Sequence, residues 1–223
     1  MARRVTLAVG ELYHLYNRGT DKRDLFKSTR DYDRFSGLLF LCNQQGSIQD
    51  KFRGLTSDVF LEPHTSELIV DIAAYCLMPN HFHLVARERS DGGISKFMQK
   101  VTTGYTMYFN KRYDRSGGLF QGTFKVRHVD NDTYFKYLIA YVHLNPIKLI
   151  DPQWKENGIV DYKAAQTYLE QYRYSSYQDY LGKIRSANAI LAKDTFNELF
   201  DSLKDFEMHA LEWLNNGLEK SEV

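Results

Sequence analysis

The segment Ala73-Ala74-Tyr75-Cys76-Leu77-Met78-Pro79-Asn80-His81-Phe82-His83-Leu84-Val85 constrains the chain more than any other. An apolar run reaches Met78, Pro79-Asn80 interrupts it, and a second apolar run opens with two histidines. Proline lacks an amide donor and asparagine suits a turn, so two strands joined as a hairpin are expected. Side chains alternate in an extended chain. His81 and His83 therefore share one face, and Phe82 turns to the other. Leu77, Met78, Leu84 and Val85 place this ribbon in an interior, where polar groups need partners. Paired imidazoles on a rigid strand suit a divalent metal or a phosphate.

The remaining chain supplies helices for such a ribbon. Glu11 to Asn17 is rich in β-formers and ends at Arg18-Gly19, a strand and a turn; His14 on this strand could approach a site, but a lone histidine is more often structural. Ser28 caps a helix whose apolar face is Tyr32, Phe35, Leu39 and Cys42. Gln44 to Pro63 is polar and reads as a long connection. Ile94 to Tyr113 is a second helix, with Ile94, Phe97, Met98, Val101, Tyr105 and Tyr108 inward. Phe124 to Val129 reads as an edge strand, and Asp132 caps a third helix, from Thr133 to about Asn145, stopped by Pro146. Tyr172 to Tyr177 forms an aromatic strap. Phe196 to Leu214 carries the spacing of an amphipathic helix. This order gives an α+β layer, an antiparallel sheet with helices packed on one side.

The 223 residues, 43% hydrophobic and 26% charged, suit one sizeable core. No run approaches the ~18 apolar residues of a membrane span, and Met1-Ala2-Arg3-Arg4 lacks the apolar region of a signal peptide. Cys42 and Cys76 both lie in apolar stretches, which suits buried free thiols and a cytoplasmic protein. The net charge of +1 conceals a polarity. Between Ile94 and Arg127, seven basic residues face Asp114 alone, a net +6. Between Asp194 and Val223, eight acids face Lys204 and Lys220, a net −6. The basic stretch suits a polyanionic partner.

On the third helix Tyr141 and Asn145 stand one turn apart on one face, with Tyr137 a turn earlier. A tyrosine hydroxyl is a covalent nucleophile, yet a pKa near 10 makes it a poor one unaided. A divalent cation on His81 and His83, with the Asn145 carbonyl as third ligand, would stabilise charge on a phosphodiester. Such a neutral ligand set suits Mg²⁺ or Mn²⁺. These residues alone leave open a metal–tyrosine nuclease, a plain metal-dependent hydrolase, and a core with two satisfied histidines.

Met78-Pro79-Asn80-His81-Phe82-His83-Leu84 resembles the HUH motif of single-tyrosine transposases. Further blocks resemble the branch called REP-associated tyrosine transposases. They are Tyr13-His14-Leu15-Tyr16-Asn17-Arg18-Gly19, Gly118-Leu119-Phe120-Gln121-Gly122-Thr123-Phe124-Lys125, Tyr141-Val142-His143-Leu144-Asn145-Pro146-Ile147-Lys148 and Tyr174-Ser175-Ser176-Tyr177. They run in the family's order from Glu11 to Gly182. Phe120 and Tyr174 stand where the family usually carries Trp.

The resemblance implies a ferredoxin-like catalytic domain over residues 1–150. Residues 151–223 would be an aromatic strap and helical extension packed on it. It implies Tyr141 as nucleophile, His81, His83 and Asn145 as metal ligands, and Mg²⁺ or Mn²⁺ as cofactor. Tyr105 and Tyr108 are rival tyrosines, but the position before Asn145-Pro146 favours Tyr141. The implied reaction nicks single-stranded DNA at hairpin repeats and rejoins strands through a 5′-phosphotyrosine link. Arg18, Lys100, Lys111, Arg112, Arg115, Phe120, Lys125 and Arg127 are the expected DNA contacts, in a monomer or homodimer. A non-cleaving hairpin-binding relative and a phosphodiesterase using water are the alternatives.

Overall fold

Residues 6–45, 60, 67–192 and 196 are described by the computed structural model. Most of the connection expected at Gln44–Pro63 and of the helix expected at Phe196–Leu214 lies outside them.

The elements follow one another as β1 (Leu12–Arg18), α1 (Thr29–Cys42), β2 (Val70–Met78), β3 (His81–Glu88), α2 (Gly93–Arg112), β4 (Lys125–Val129) and α3 (Asp132–Leu144). The sheet runs in the order β2-β3-β1-β4, with every neighbouring pair antiparallel. That is a ferredoxin-like sheet with helices packed on it. Beyond α3 come a 3-10 turn (Asn145–Leu149) and the helices α4 (Trp154–Asn157), α5 (Tyr162–Gln171) and α6 (Tyr177–Tyr180).

The helices cover both faces, not one. Tyr13, Leu15, Ile72, Leu77, Phe82 and Leu84 form a core with α1 and α2. Ala73, Cys76, Met78 and Val85 form a second core with α3, Trp154, Leu169 and Tyr180. The reason lies in β2, which is buried along its whole length and so has no face to give to water. A register shift between Ile72 and Ala74 sends Ala73 and Ala74 together to the α3 side.

Local chemistry fixes the ends. The Ser28 amide donates to Asp31 Oδ2 at 2.9 Å in a capping box that starts α1. The cap of α3 is Asn131 rather than Asp132; Asn131 Oδ1 accepts from the Tyr134 amide at 2.7 Å. Gly19 ends β1 where a Cβ would lie 2.2 Å from the Arg23 carbonyl oxygen, so only glycine fits. Its amide donates to the Asn80 carbonyl at 2.9 Å, tying the end of β1 to the Pro79-Asn80 turn.

The outer edge of β2 is not open. The Leu77 amide donates to the Tyr174 carbonyl and the Ser176 amide to the Tyr75 carbonyl, both at 2.9 Å. The Tyr174 ring stacks on Tyr32 of α1 at 3.9 Å. On the other side His143 Nε2 lies 2.7 Å from Ser176 Oγ. The Tyr172–Tyr177 stretch thus clamps the sheet between its two helical layers.

Asn43 anchors the start of β2 below the described part of the connection. Its Oδ1 accepts from the Ile69 and Val70 amides, and its Nδ2 donates to the Val70 carbonyl at 2.9 Å. Asn43→Ala leaves these buried groups short of partners. The expected loss is about 2 kcal/mol in urea unfolding, with an unchanged m-value.

Candidate active site

Cross-strand register assembles the site, because directly paired residues project from the same face. His81 pairs with Arg18. His83 pairs with Tyr16, and Tyr16 with Lys125. Val85 pairs with His14, and His14 with Arg127. All these side chains stand on the α3 side, opposite Leu15, Phe82 and Leu84.

Helix α3 lays Tyr141 against this face. Its ring centroid is 5.5 Å from that of His83, with the planes 86° apart, and 6.2 Å from that of His14. The His81 and His83 rings are 5.1 Å apart at 89°. Tyr137 and Tyr134 continue the row of rings along α3, with Arg127 over Tyr134 at 4.9 Å. Asn145 opens the 3-10 turn after α3; its Nδ2 donates to the Tyr141 carbonyl at 2.7 Å. Pro146 ends the helix at that point, and this holds the Asn145 amide beside Tyr141.

The imidazoles are held neutral. Burial pushes His81 down to about 4, helped by the charges of Lys148, Lys155 and Arg18. Burial pushes His14 down to about 3, and His83 falls well below the usual histidine range. Asn80 Oδ1 lies 2.7 Å from His81 Nδ1. A carbonyl oxygen only accepts, so Nδ1 carries the proton and Nε2 presents a lone pair. His83 Nδ1 shares one proton with His14 Nε2 across 2.9 Å, which fixes the orientation of the His83 ring. Burial pushes the Tyr141 phenol up to about 12; Tyr137 adds to this, and a hydrogen bond from the Asn145 side chain opposes it.

Among the described residues, no group of three or more His, Cys, Asp or Glu could hold a metal. A divalent ion here therefore needs a donor of another type beside the two imidazoles. Asn145, the residue that follows α3, carries an amide carbonyl, a donor of that type. The neutral imidazoles and this amide fit a hard-to-borderline divalent cation.

The expected DNA contacts divide by face. Arg18, Lys125 and Arg127 stand in the rows of His81, Tyr16 and His14. The others belong to the α1–α2 side or its rim. Lys100 donates to the Gln44 carbonyl at 2.8 Å, and Arg112 is 3.4 Å from Asp31. Arg115 bonds Asn110 at 2.6 Å and the Gly118 carbonyl at 3.0 Å. Lys111 is exposed in the last turn of α2. The Phe120 ring packs toward Phe82 and Tyr105. Tyr105 and Tyr108 also lie on that side, donating to the Leu25 carbonyl at 2.5 Å and to Asp31 Oδ1 at 2.8 Å.

The sequence pattern let His14 approach a site but favoured a structural role for it, and it did not bring Tyr16, Lys148 and Lys155 to this place. His14 and Tyr16 were accessible through period two from Arg18; Lys155 gives no signal, standing on a helix of four residues. Its Nζ is 4.2 Å from the Tyr141 ring centroid.

Residues 42–145 match the family model described as Transposase IS200 like. That span runs from the end of α1 to Asn145 and takes in His81, His83 and Tyr141. Among solved structures, the chain is similar to that of a REP-associated tyrosine transposase bound to a REP hairpin. The TM-score is 0.53 at 13% identity, over 82% of this chain and 86% of that one. At that identity the likeness bears on the fold. No curated protein matches the chain.

Proposed function

We propose that this protein nicks single-stranded DNA at hairpin repeats and transfers strands through a 5′-phosphotyrosine link on Tyr141. On this reading the protein is a member of the REP-associated branch of the IS200-like transposases. One observation carries the reading: a half-buried tyrosine ring stands edge-on to His83, 5.5 Å away, on a face lined by Arg18, Lys125 and Arg127. The family match and the similarity to a hairpin-bound transposase support the same substrate class.

Each residue has a role in this scheme. Tyr141 Oη attacks phosphorus. His81, His83 and Asn145 are the residues to hold Mg²⁺ or Mn²⁺, which when bound polarises the phosphodiester and stabilises its developing charge. His14 fixes the His83 ring through their shared proton. Arg18, Lys125 and Arg127 bind the backbone phosphates along the sheet. Residues 1–150 form the catalytic unit, and residues 151–223 serve as its clamp and extension. The protein acts in the cytoplasm, where its DNA substrate lies. Among the described residues no helix is long and apolar enough to cross a membrane, and both cysteines are free and buried.

A binding-only reading draws on the high phenol pKa of about 12, which opposes ionisation of Tyr141. Incubation with labelled hairpin oligonucleotides and Mn²⁺, followed by a denaturing gel, separates the readings. The nuclease yields a shortened strand and a protein–DNA adduct, both lost with Tyr141→Phe or with chelator. Tight, salt-sensitive binding without any cleavage would establish the binding module. Cleavage that survives Tyr141→Phe but not His81→Ala would establish hydrolysis by water.

The division of charges by face gives a second expectation. Lys125→Ala with Arg127→Ala weakens binding to a hairpin with a single-stranded flank. It also lowers the slope of log affinity against log salt by about 0.7–0.9 per lost phosphate contact. Lys111→Ala on the far face leaves that slope unchanged in fluorescence anisotropy.

A further inference from the structure

Lys155 is the unexplained charge of this site. Its helix α4 is pinned by Trp154, which is buried. The Lys155 ammonium lies 4.2 Å from the Tyr141 ring centroid and 5.6 Å from that of Trp154. No hydrogen bond or ion pair ties its three donors among the described residues. An ammonium drawn out of water onto two aromatic rings has lost solvation that ring contacts only partly replace.

Cations outnumber acids around this part of the site. Lys155 and Lys148 both act on His81, together with Arg18, and Lys155 acts on His83 as well. Glu156, beside it in α4, is the acid whose field reaches it. Burial and Lys148 bring the Lys155 amine down to about 8. Converging cations, neutral imidazoles and idle ammonium donors make a receptor that lacks its anion.

We infer that Lys155 is a catalytic residue of the strand-transfer site: its ammonium binds the scissile phosphodiester and, from the face of the Tyr141 ring, stabilises the phenolate. This rests on the function proposed above and adds a residue to it. In cleavage, Tyr141 Oη forms a bond to phosphorus and the bond from phosphorus to the 3′ oxygen breaks. The phenol proton ends on that oxygen, giving a 3′-hydroxyl, while the 5′ side stays on tyrosine. In rejoining, a 3′-hydroxyl attacks phosphorus, the bond to Oη breaks, and the phenolate regains a proton. Lys155 remains an ammonium throughout. Its charge is matched to the two places where negative charge gathers, the non-bridging oxygens and the phenolate.

The test compares Lys155→Met, which keeps the apolar stem, with Lys155→Arg, which keeps the charge, and Lys155→Gln as a second neutral variant. Circular dichroism melting of each reports the fold. Single-turnover cleavage of a hairpin oligonucleotide with Mn²⁺ and hairpin affinity by anisotropy are measured in parallel. The expected result is a cleavage rate about 100-fold lower for Met and Gln. Affinity changes less than about 3-fold, and Arg recovers most of the rate. A methylphosphonate at the scissile position, which removes the phosphate charge, slows the wild type far more than Lys155→Met. Equal rates in wild type and both neutral variants would overturn the role of Lys155 and leave Tyr141 chemistry standing. A loss that Arg fails to restore, or one matched by a fall in melting temperature in every variant, would make Lys155 a packing residue. Absence of any cleavage by the wild type would overturn the nuclease reading and this inference with it.

Discussion

The pairing register between β1 and β3 is the constraint on which the site depends. Tyr16 opposite His83 and Arg18 opposite His81 send both histidines, and everything aligned with them, toward α3. Slipping either strand by one residue would turn His81 and His83 into the core around Phe82 and bring Phe82 to the site. The register is held at several points. Phe82 and Leu84 are fully buried on the other face, Gly19 and Asn80 join the strand ends, and His14 meets His83 across the ladder. The hydrophobic core and the polar site are two faces of one alternation.

Electrostatics then separates the roles of the two faces. On the α1–α2 side Asp31 takes the Ser28 and Lys27 amides and the Tyr108 and Tyr113 hydroxyls, with Arg112 beside it. That network fixes two helices together and asks for no ligand. On the α3 side the histidines are neutral and lie among Arg18, Lys148 and Lys155. A field of one sign around neutral lone pairs favours an incoming anion accompanied by a metal, the requirement of a phosphodiester reaction.

Much of this was legible in the sequence, for physical reasons. Period two put His81 and His83 on one face of the second strand, which runs from His81 to Glu88. The 3.6 period placed Tyr141 and Asn145 one turn apart, and Pro146 marked the helix end. Three things were not legible. The basic stretch Ile94–Arg127 reads as one patch, yet it is split because α2 crosses one face and β4 lends alternate residues to the other. The second helical layer escaped because side of packing is not encoded in strand order; it follows from a β2 with no polar face. Helix α5 buries only Ala165 and Leu169, too short a stripe to stand out, and the four residues of α4 have no period at all.

The most direct measurement is the identity of the residue that carries DNA. Wild-type protein is incubated with a hairpin oligonucleotide and Mn²⁺, the adduct is digested, and the nucleotide-bearing peptide is fragmented by mass spectrometry. A nucleotide on Tyr141, within the peptide ending at Lys148, is the predicted result. A nucleotide on Tyr137, Tyr16 or any tyrosine of the α1–α2 side, or cleaved DNA with no adduct at all, would contradict the account.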